Sequence, residues 1–448
     1  MSKSSNVREV ALDALISIEK NQAYSNLLLN SVINKHHLNE KDVGLLTELV
    51  YGTLQRRDTL SYYLSAFTAK NKKLEKWVET LLKLSIYQMV YLERIPDRAV
   101  IFEAVEIAKK RGHKGISSLV NGILRGIQRN GLPNFDSIKD PLEKISVETS
   151  HPYWLVKQWA DEAGIEEARR MCEINLQPPI QTARINRMRT TMADLLVLLE
   201  QEGISAEKGD LSQDSIKILK GNLARTAAFK NGLLTIQDES SMLTARALNA
   251  SQEDKVLDAC AAPGGKTSHI AELMDGQGKV VSLDLHEHKV KLIKEQAERL
   301  GLQNVDAKAM DARLAGEAFQ KEEFSKVLVD APCSGFGVIR RKPDIKYTKK
   351  PGDISKLASI QLEILNSVAP LVKKGGTLVY STCTIEREEN KDVVNKFLES
   401  HPQFEADTDL AERMPEKARP FVKNGQLQLL PHYFGTDGFF IASLKRKV

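Results

Sequence analysis

Two cysteines follow apolar, strand-like runs in the second half of the sequence. The run LVDAPCSG carries Asp330 and Cys333 at its end, and the run LVYSTCT carries Cys383. A single cysteine after an apolar run is most often a core residue. Two in the same pattern favour chemistry, because a thiolate is a strong nucleophile that can form a covalent intermediate.

A glycine-containing turn, DACAAPGGKT, occupies residues 258–267. A Walker A loop would need glycine where the chain has Cys260, and the dinucleotide fingerprint GxGxxG is also absent. What remains is a strand, a turn, a helix and then Asp284 closing the next strand, where an acid binds ribose hydroxyls. S-adenosyl-L-methionine (SAM) has a ribose but no phosphate, so it suits this turn. An ATPase with Asp330 in a Walker B strand, or a turn without a ligand, are the alternatives.

Thiols beside a methyl sulfonium suggest methylation of a pyrimidine carbon. Carbon 5 of cytosine becomes nucleophilic when a thiolate adds to carbon 6 and an acid supports N3; after methyl transfer, a base removes the carbon-5 proton and the thiolate leaves. Cys383, Cys333 and Asp330 can fill these roles, but their spacing does not decide which thiol attacks. An amino-group methylase would carry an Asn/Asp-Pro-Pro-Tyr/Phe turn, which DAPCSG is not.

These motifs need a fold that brings strand ends together. From residue 233 onward, six apolar runs alternate with amphipathic helices: DKVLDACA, GKVVSLDL, NVDAKAMDA, FSKVLVDAP, GGTLVYSTC and GFFIASLKR. This rhythm predicts an α/β Rossmann-like domain over residues 233–448, with a mostly parallel sheet covered on both faces. Ligands of such sheets bind at the carboxyl ends of the strands. Asp311 closes the third run, where an acid can meet an adenine amino group.

The first half of the chain predicts two further domains. Apolar residues spaced three and four apart indicate an all-α domain over residues 1–135, ended by Gly131 and Pro133. Residues 145–232 mix helical segments with the strand-like runs TARINRM and SIKIL, which is typical of a small α+β connector. The expected fold is therefore multidomain.

Composition narrows the class of protein. The 448 residues carry 64 Lys and Arg against 59 Asp and Glu, a formal charge of +5, so nucleic-acid contacts must come from local clusters. The four cysteines are too far apart in sequence for a zinc site or a disulfide framework, and we expect no metal. No signal peptide or membrane span is evident. We therefore expect a cytoplasmic protein that functions as a monomer.

The motifs DACAAPGGKT, LDL, DAPCSG and YSTCT together resemble the RNA cytosine-carbon-5 methyltransferases of the Nop/Sun family. The resemblance implies that Cys383 attacks the base, that Cys333 assists release and that Asp330 faces N3. It also implies a SAM pocket lined by Cys260, Ala261, Ala262, Pro263, Gly264, Gly265, Lys266, Asp284, Asp311 and Asp330.

The N-terminal helical segments, among them LLTELVYGTLQRR and SSLVNGILR, resemble the RNA-binding NusB family. Its fusion to this catalytic domain implies 16S ribosomal RNA, of the small subunit, as the substrate. Cations that could neutralise RNA phosphates in this domain are Lys70, Lys72, Lys73, Lys76, Lys109, Lys110, Arg111, Lys114, Arg125 and Arg129. Ordinary solvated helix faces are the alternative.

Two further groups are candidate RNA contacts. The run RINRMRTT presents Arg184 and Asn186 in the connector, although charge on an edge strand is nearly as good an explanation. The basic segment after Cys333 carries Arg340, Arg341 and Lys342, which could hold phosphates around a flipped-out cytosine. A non-catalytic RNA-binding factor with a decayed methylase domain is the rival hypothesis, and the intact pair of cysteines argues against it.

Overall fold

The computed structural model describes residues 6–21, 25–36, 38–68 and 74–448. The chain divides into two compact units. Unit 1 contains Met1–Gln177 and Ile339–Thr348, and unit 2 contains Pro178–Val338 and Lys349–Val448. Within the described ranges, no helix has both the length and the apolar composition needed to span a bilayer.

Unit 1 is helical in its described part, as the sequence predicts. Apolar residues spaced three and four apart turn one face of each helix towards a common core, which includes Leu12, Leu49, Leu82 and Val120. Its first helices are α1 (Val7–Asn21), α2 (Ser25–His36), α3 (Glu40–Gln55), α4 (Arg57–Ser65), α5 (Lys76–Tyr91), α6 (Asp97–Arg111), α7 (Lys114–Asn130), α8 (Pro141–Thr149), α9 (Tyr153–Ala163) and α10 (Ile165–Ile174).

Unit 2 begins with a small antiparallel sheet of order β2-β3-β1-β4. Its elements are β1 (Gln181–Ile185), α11 (Met192–Gln201), β2 (Ser205–Lys208), β3 (Ser215–Lys220), α12 (Ala227–Lys230) and β4 (Leu234–Ile236). Alternate residues of the strands, such as Ala183, Ile216 and Leu234, pack against Leu195 and Leu199 of α11. The predicted strands TARINRM and SIKIL correspond to β1 and β3.

The second sheet of unit 2 has nine strands. The remaining elements in chain order are α13 (Glu239–Leu248), β5 (Lys255–Asp258), α14 (Gly265–Leu273), β6 (Lys279–Asp284), α15 (Glu287–Leu300), β7 (Val305–Ala309), α16 (Ala315–Ala318), β8 (Phe324–Asp330), α17 (Ile345–Thr348, in unit 1), α18 (Pro351–Val368), β9 (Val372–Thr382), α19 (Lys391–Ser400), β10 (Phe404–Ala406), α20 (Leu410–Arg413), β11 (Val422–Lys423), β12 (Gln426–Leu429), α21 (Pro431–Phe434) and β13 (Phe439–Arg446).

The strand order is β11-β12-β13-β9-β8-β5-β6-β7, and β10 pairs with the end of β13 on the edge opposite β9. The five strands from β9 to β7 are parallel, and β13 runs antiparallel to β9. All six predicted runs form strands, and the Rossmann-like fold is confirmed. Since the chain goes from β5 to β6 and β7 on one side and later adds β8 and β9 on the other, the topological switch point lies between β5 and β8.

Compact unit 1 extends beyond the predicted end of the helical domain at residue 135. Helices α8 to α10 belong to it, because polar groups near the end of α8 bond to α4. The Thr59 hydroxyl donates to the Val147 carbonyl at 2.6 Å, and the Ser150 hydroxyl accepts the Asp58 N–H at 2.7 Å. Such contacts depend on tertiary packing, which sequence periodicity does not encode.

The segment Ile339–Thr348, which follows the Cys333 motif in sequence, is part of unit 1 and contains α17. The Lys346 ammonium is buried and donates to the Gln55 carbonyl at 2.9 Å, and the Tyr347 hydroxyl donates to the Ser150 carbonyl at 2.8 Å. Burial lowers the pKa of Lys346 to about 7. A segment that the sequence presents as a basic loop is therefore partly a core element.

Candidate active site

The paired strands β8 and β9 bring two motifs of the sequence to one edge of the large sheet. They are parallel, with Asp330 opposite Ser381, so the residues that follow each strand emerge side by side. The Ala331 N–H continues the ladder by donating to the Ser381 carbonyl at 2.9 Å. These strand ends lie next to β5 and the switch point, where ligands of open α/β sheets bind.

The two thiols meet at this edge. The Cys333 and Cys383 sulfur atoms are 3.4 Å apart, well beyond the roughly 2.05 Å of a disulfide and within reach of an S–H···S contact. The Gly337 N–H fixes the second motif by donating to the Cys383 carbonyl at 3.0 Å. A Cβ at Gly337 would come within 1.9 Å of the Gly438 carbonyl oxygen, so only glycine fits there.

Asp330 lies beside the thiol pair with both carboxylate oxygens engaged. One oxygen accepts from the Lys266 ammonium at 2.7 Å and the other from the Ser381 hydroxyl at 2.8 Å. Burial alone would lower the pKa of Lys266. The negative charge of Asp330 opposes burial most strongly, Cys383 and Asp258 contribute less, and the pKa of Lys266 is raised above its usual value. The ammonium is thus a fixed positive charge near Cys383.

The glycine turn between β5 and α14 is tied to neighbouring strands by its backbone. The Ala261 N–H donates to the Leu283 carbonyl at 2.8 Å, and the Gly264 N–H closes the turn on the Ala261 carbonyl at 2.8 Å. The peptide bond between Ala262 and Pro263 is cis. The two hydrogen bonds hold the residues of the predicted SAM loop at the carboxyl end of β5.

The two glycines of this turn have different physical roles. Gly264 has φ +101°, which favours glycine, and a Cβ there would lie 3.2 Å from the Ile293 Cα. A Cβ at Gly265 would meet no atom within 4 Å, so open space adjoins the first residue of α14. Beneath the turn, the Thr267 hydroxyl donates to the buried Asp258 carboxyl at 2.6 Å. Burial, partly offset by this bond, raises the pKa of Asp258 to about 7.

Four acidic residues affect the pKa of the Cys260 thiol. Burial raises its pKa, and Asp258, Asp330, Asp284 and Asp311 each raise it further, so this thiol stays protonated at neutral pH. The four carboxyl groups come from the ends of β5, β8 and β6 and from the loop after β7. The negative charge among these groups is complementary to a cationic ligand such as a sulfonium.

Asp284 and Asp311, which are predicted to bind the nucleoside of SAM, differ in their hydrogen-bond partners. Asp284 accepts the His286 N–H at 3.1 Å. Asp311 binds the Arg313 guanidinium, with 2.7 Å between Oδ2 and Nη2, and this bond lowers the pKa of Asp311. Asp284 thus retains carboxylate acceptor capacity for a ribose diol, while Arg313 already engages both oxygens of Asp311.

Comparison with known proteins places this geometry in a family. Residues 245–445 match the family model of the 16S rRNA methyltransferases RsmB/F, residues 5–129 match the NusB family, and residues 151–223 match the ferredoxin-like domain of RsmF/B-like methyltransferases. The chain is 62% identical to the probable ribosomal RNA small subunit methyltransferase B of Bacillus subtilis, covering 99% of this chain and 100% of the relative. The chain belongs to the RsmB/F methyltransferase family.

Other relatives and solved structures agree with this assignment. The ribosomal RNA small subunit methyltransferase B of Serratia proteamaculans is 34% identical over 99% of both chains. The crystal structure of PH0851 is 25% identical, has a TM-score of 0.81 and covers 99% of both chains. A methyltransferase homologue from Pyrococcus horikoshii is 27% identical, with a TM-score of 0.59 over 69% of this chain and all of its own. The resemblances to NusB and to the Nop/Sun methyltransferases are confirmed.

The RsmB/F chain is a SAM-dependent methyltransferase, and its site fits that cofactor. The open space at Gly265, the carboxylate of Asp284 and the negative surroundings of Cys260 meet the needs of a nucleoside that carries a sulfonium. When bound, SAM supplies an electrophilic methyl group. This assignment excludes the ATPase alternative, for which glycine would have been required at position 260.

Several buried residues of the site gave no signal in the sequence. Glu389 accepts the Ser334 N–H at 2.8 Å and a Gln361 amide N–H at 2.9 Å. The same Gln361 amide donates to the Pro332 carbonyl at 2.9 Å. In the sequence, Glu389 belongs to the charged run EREEN, which is typical of an exposed turn, so only the fold reveals it.

The structure corrects the prediction that Arg184 and Asn186 contact RNA, because both side chains are only 1% exposed. The Arg184 guanidinium pairs with Glu272 at 2.9 Å and donates to the Gly265 carbonyl at 2.9 Å. Asn186 donates to the Gly232 carbonyl at 3.0 Å and to a second backbone oxygen. Their function is to hold the small sheet against the domain that carries the glycine turn.

The three cations after the Cys333 motif have unequal exposure. Arg340 is 9% exposed, Arg341 is half-buried and Lys342 is exposed. All three belong to unit 1, whereas the thiols belong to unit 2. Their contact with RNA remains a prediction, and exposure favours Lys342 most.

Proposed function

We propose that this RsmB/F chain methylates carbon 5 of a specific cytosine in small-subunit ribosomal RNA through a covalent protein-RNA intermediate. Relatives that span the whole chain are named ribosomal RNA small subunit methyltransferase B, which supports the substrate class. The contact of 3.4 Å between the Cys333 and Cys383 sulfur atoms carries the proposal, because this chemistry needs a nucleophile and a second group at one pyrimidine ring.

Cys383 is the proposed nucleophile. The nearby Lys266 ammonium favours its thiolate, and mutual stabilisation of the two charges is consistent with the raised pKa of Lys266. The Cys383 thiolate forms a bond to carbon 6, the carbon 5–carbon 6 electrons move between carbons 4 and 5, and the carbon 4–N3 electrons move onto N3, which takes up a proton from solvent. Carbon 5 is thereby made nucleophilic towards the methyl group.

Asp330 supports the activated ring, and Cys333 supports release. As a carboxylate held by Lys266 and Ser381, Asp330 can accept a hydrogen bond from the protonated N3. Once carbon 5 carries the methyl group, its proton passes to water; the electrons of that C–H bond re-form the carbon 5–carbon 6 double bond and expel the Cys383 thiolate, and N3 returns its proton to solvent. The Cys333 S–H, whose sulfur is 3.4 Å from that of Cys383, donates a hydrogen bond to the departing thiolate and so assists its release.

The helix α7 supplies the best surface for the RNA backbone. It contains no Asp or Glu, and the α7 stripe, defined as Lys114, Ser118, Asn121, Arg125 and Arg129, is spaced so that most of its members share one face. Its three cations are exposed and form no ion pair with another described residue. They span about 22 Å of helix at 1.5 Å per residue, enough to contact several phosphates.

The other cations predicted for RNA are less suited to this role. Lys110 and Arg111 bind Glu9, and Lys109 pairs with Glu106 at 2.7 Å. Lys76 is 3.5 Å from Glu19. Lys70, Lys72 and Lys73 lie outside the described residues. Neutralised cations attract phosphates weakly, so the α7 stripe is the proposed contact.

Trapping the covalent intermediate tests the proposed chemistry. The Cys333→Ala protein, incubated with small-subunit ribosomal RNA and SAM, should give a protein-RNA band in denaturing electrophoresis, because Cys383 attacks but release is impaired. Adding Cys383→Ala should abolish the band. Bisulfite mapping of RNA treated with the unaltered protein should reveal the methylated cytosine.

The matched control is Cys172→Ala, which removes a buried thiol of unit 1. It should methylate RNA and give no trapped band. A band that survives the loss of Cys383, or RNA methylated elsewhere than at carbon 5 of cytosine, would overturn the proposal.

A further inference from the structure

Glu389 is a fully buried carboxyl group that the proposed reaction does not use. It lies in the loop between β9 and α19, under the turn Pro332–Ser334. Its Oε1 accepts the Ser334 N–H at 2.8 Å and the Gln361 amide at 2.9 Å, while Oε2 contacts the Ser334 hydroxyl. Gln361 also holds the Pro332 carbonyl, so Glu389 and Gln361 fix the turn on both sides of Cys333.

The donors around Glu389 suit a carboxylate. Burial raises the pKa of Glu389 above its usual value, and hydrogen bonds from Ser334 and Gln361 and the charge of Lys349 offset only part of that rise. Two N–H groups converge on one oxygen and a hydroxyl faces the other. A carboxylate accepts all three, whereas a protonated carboxyl group would need the Ser334 hydroxyl to accept from Oε2 and to turn its own proton towards Thr384, 2.7 Å away.

The two thiols differ in the charged groups shown to act on them. A hydrogen bond with Cys383 and burial raise the pKa of Cys333, and the negative charges of Cys383, Glu389 and Asp330 raise it further. The Tyr380 phenol also interacts with Cys333. Because burial raises the pKa of Tyr380, this neighbour is neutral. The ammonium of Lys266, by contrast, interacts favourably with Cys383.

From this geometry we propose that Glu389 is a positioning residue that holds Cys333 against Cys383 and keeps the proton of the pair on Cys333. Cys383 then loses its proton to solvent and is the thiolate, which accepts a hydrogen bond from the Cys333 S–H. The inference deepens the proposed function, because it explains which of two adjacent thiols attacks. Glu389 acts through Ser334 and its charge, without touching the substrate.

Selective alkylation tests this proposal without RNA or SAM. The full-length protein is treated briefly with iodoacetamide between pH 6 and 9, and each cysteine is quantified by peptide mass spectrometry. We expect Cys383 to react at least about tenfold faster than Cys333 at neutral pH, since the thiolate is the reactive form. In Glu389→Gln the ratio should fall at least about threefold, because Cys333 ionises more readily.

Glu389→Asp separates charge from geometry. It keeps the negative charge but shortens the side chain, so the alkylation ratio should stay near that of the unaltered protein while methylation slows. If Glu389→Gln leaves the ratio unchanged, or if Glu389→Asp lowers it as much as Glu389→Gln does, the proposal is wrong. Buried Cys172 provides an internal check that unit 1 of each variant is folded, and the urea denaturation midpoint provides the check for unit 2.

The outcome is independent of the trapping experiment. If Cys333→Ala traps RNA but Glu389→Gln leaves the alkylation ratio unchanged, only the proposed role of Glu389 is wrong. If alkylation responds to Glu389 but no RNA is trapped, the proton location stands and the proposed RNA chemistry fails.

Discussion

Cations in the small sheet and cations on α7 look alike in the sequence, yet the fold uses them in opposite ways. Arg184 is buried and bound to Glu272, whereas Arg125 and Arg129 are exposed on a helix without acidic residues. A buried charge without its partner is very costly, while an exposed charge costs little and can serve a ligand. The comparison teaches that burial, rather than charge, separates structural cations from candidate RNA contacts.

The strongest test of this comparison is Arg184→Met. It leaves the Glu272 carboxylate buried without its partner, so the free energy of unfolding should fall by about 3–5 kcal/mol. Urea denaturation measures the change. The double variant Arg184→Met with Glu272→Leu should recover much of the loss; a single variant as stable as the unaltered protein would show that the pair is not structural.

A pH-dependent test concerns a second buried charge near the small sheet. Burial alone would raise the pKa of Asp214, but the His269 ring, whose Nε2 lies 3.8 Å from Oδ2, and the charge of Arg246 lower it to about 2. A depressed pKa contributes stability above pH 3.8 that is lost as pH falls towards 2. Asp214→Asn should therefore unfold about 2 kcal/mol more easily at pH 7.

Comparing urea titrations of the two proteins at several pH values checks this expectation. The difference between them should shrink from pH 4 to pH 2, because the carboxylate takes up its proton below pH 3.8 in the unfolded chain but only near pH 2 in the folded one. A difference independent of pH would mean that Asp214 acts through packing alone.

On α7, Arg125→Gln with Arg129→Gln should weaken RNA binding by about tenfold, or 1.4 kcal/mol, and leave folding unchanged. The slope of log affinity against log salt should decrease by about 2, since two phosphate contacts are lost. Filter binding at several salt concentrations measures both. An unchanged slope would remove the α7 stripe from the RNA surface.

The smallest effect should come from Lys110→Gln, which is the matched control on α6. Lys110 is exposed and pairs with Glu9 at 2.7 Å, and such surface pairs contribute about 0–1 kcal/mol. Both stability and RNA affinity should therefore change little. A loss of affinity as large as that of the α7 variant would break the distinction between paired and unpaired surface cations.

Much of the architecture could be predicted because it depends on local patterns. Six apolar runs became strands, and the helical spacing of the first 130 residues became helices α1 to α7. The short strands β10, β11 and β12 were not predicted, since each has few residues and is stabilised mainly by pairing with β13 or its neighbour. Likewise, nothing local indicates that Ile339–Thr348 packs in unit 1.

By itself, the sequence determined the family, the order of the domains and the candidate residues at the strand ends, because motif spacing and hydrophobic periodicity are local properties. The tertiary structure alone decided which side chains meet. It set the distance between the Cys333 and Cys383 sulfur atoms, buried Glu389 beneath the Cys333 turn and enclosed Arg184 in an ion pair. These properties arise from contacts between residues far apart in the chain, where burial and neighbouring charge determine whether an ionisable group is structural, reactive or available to RNA.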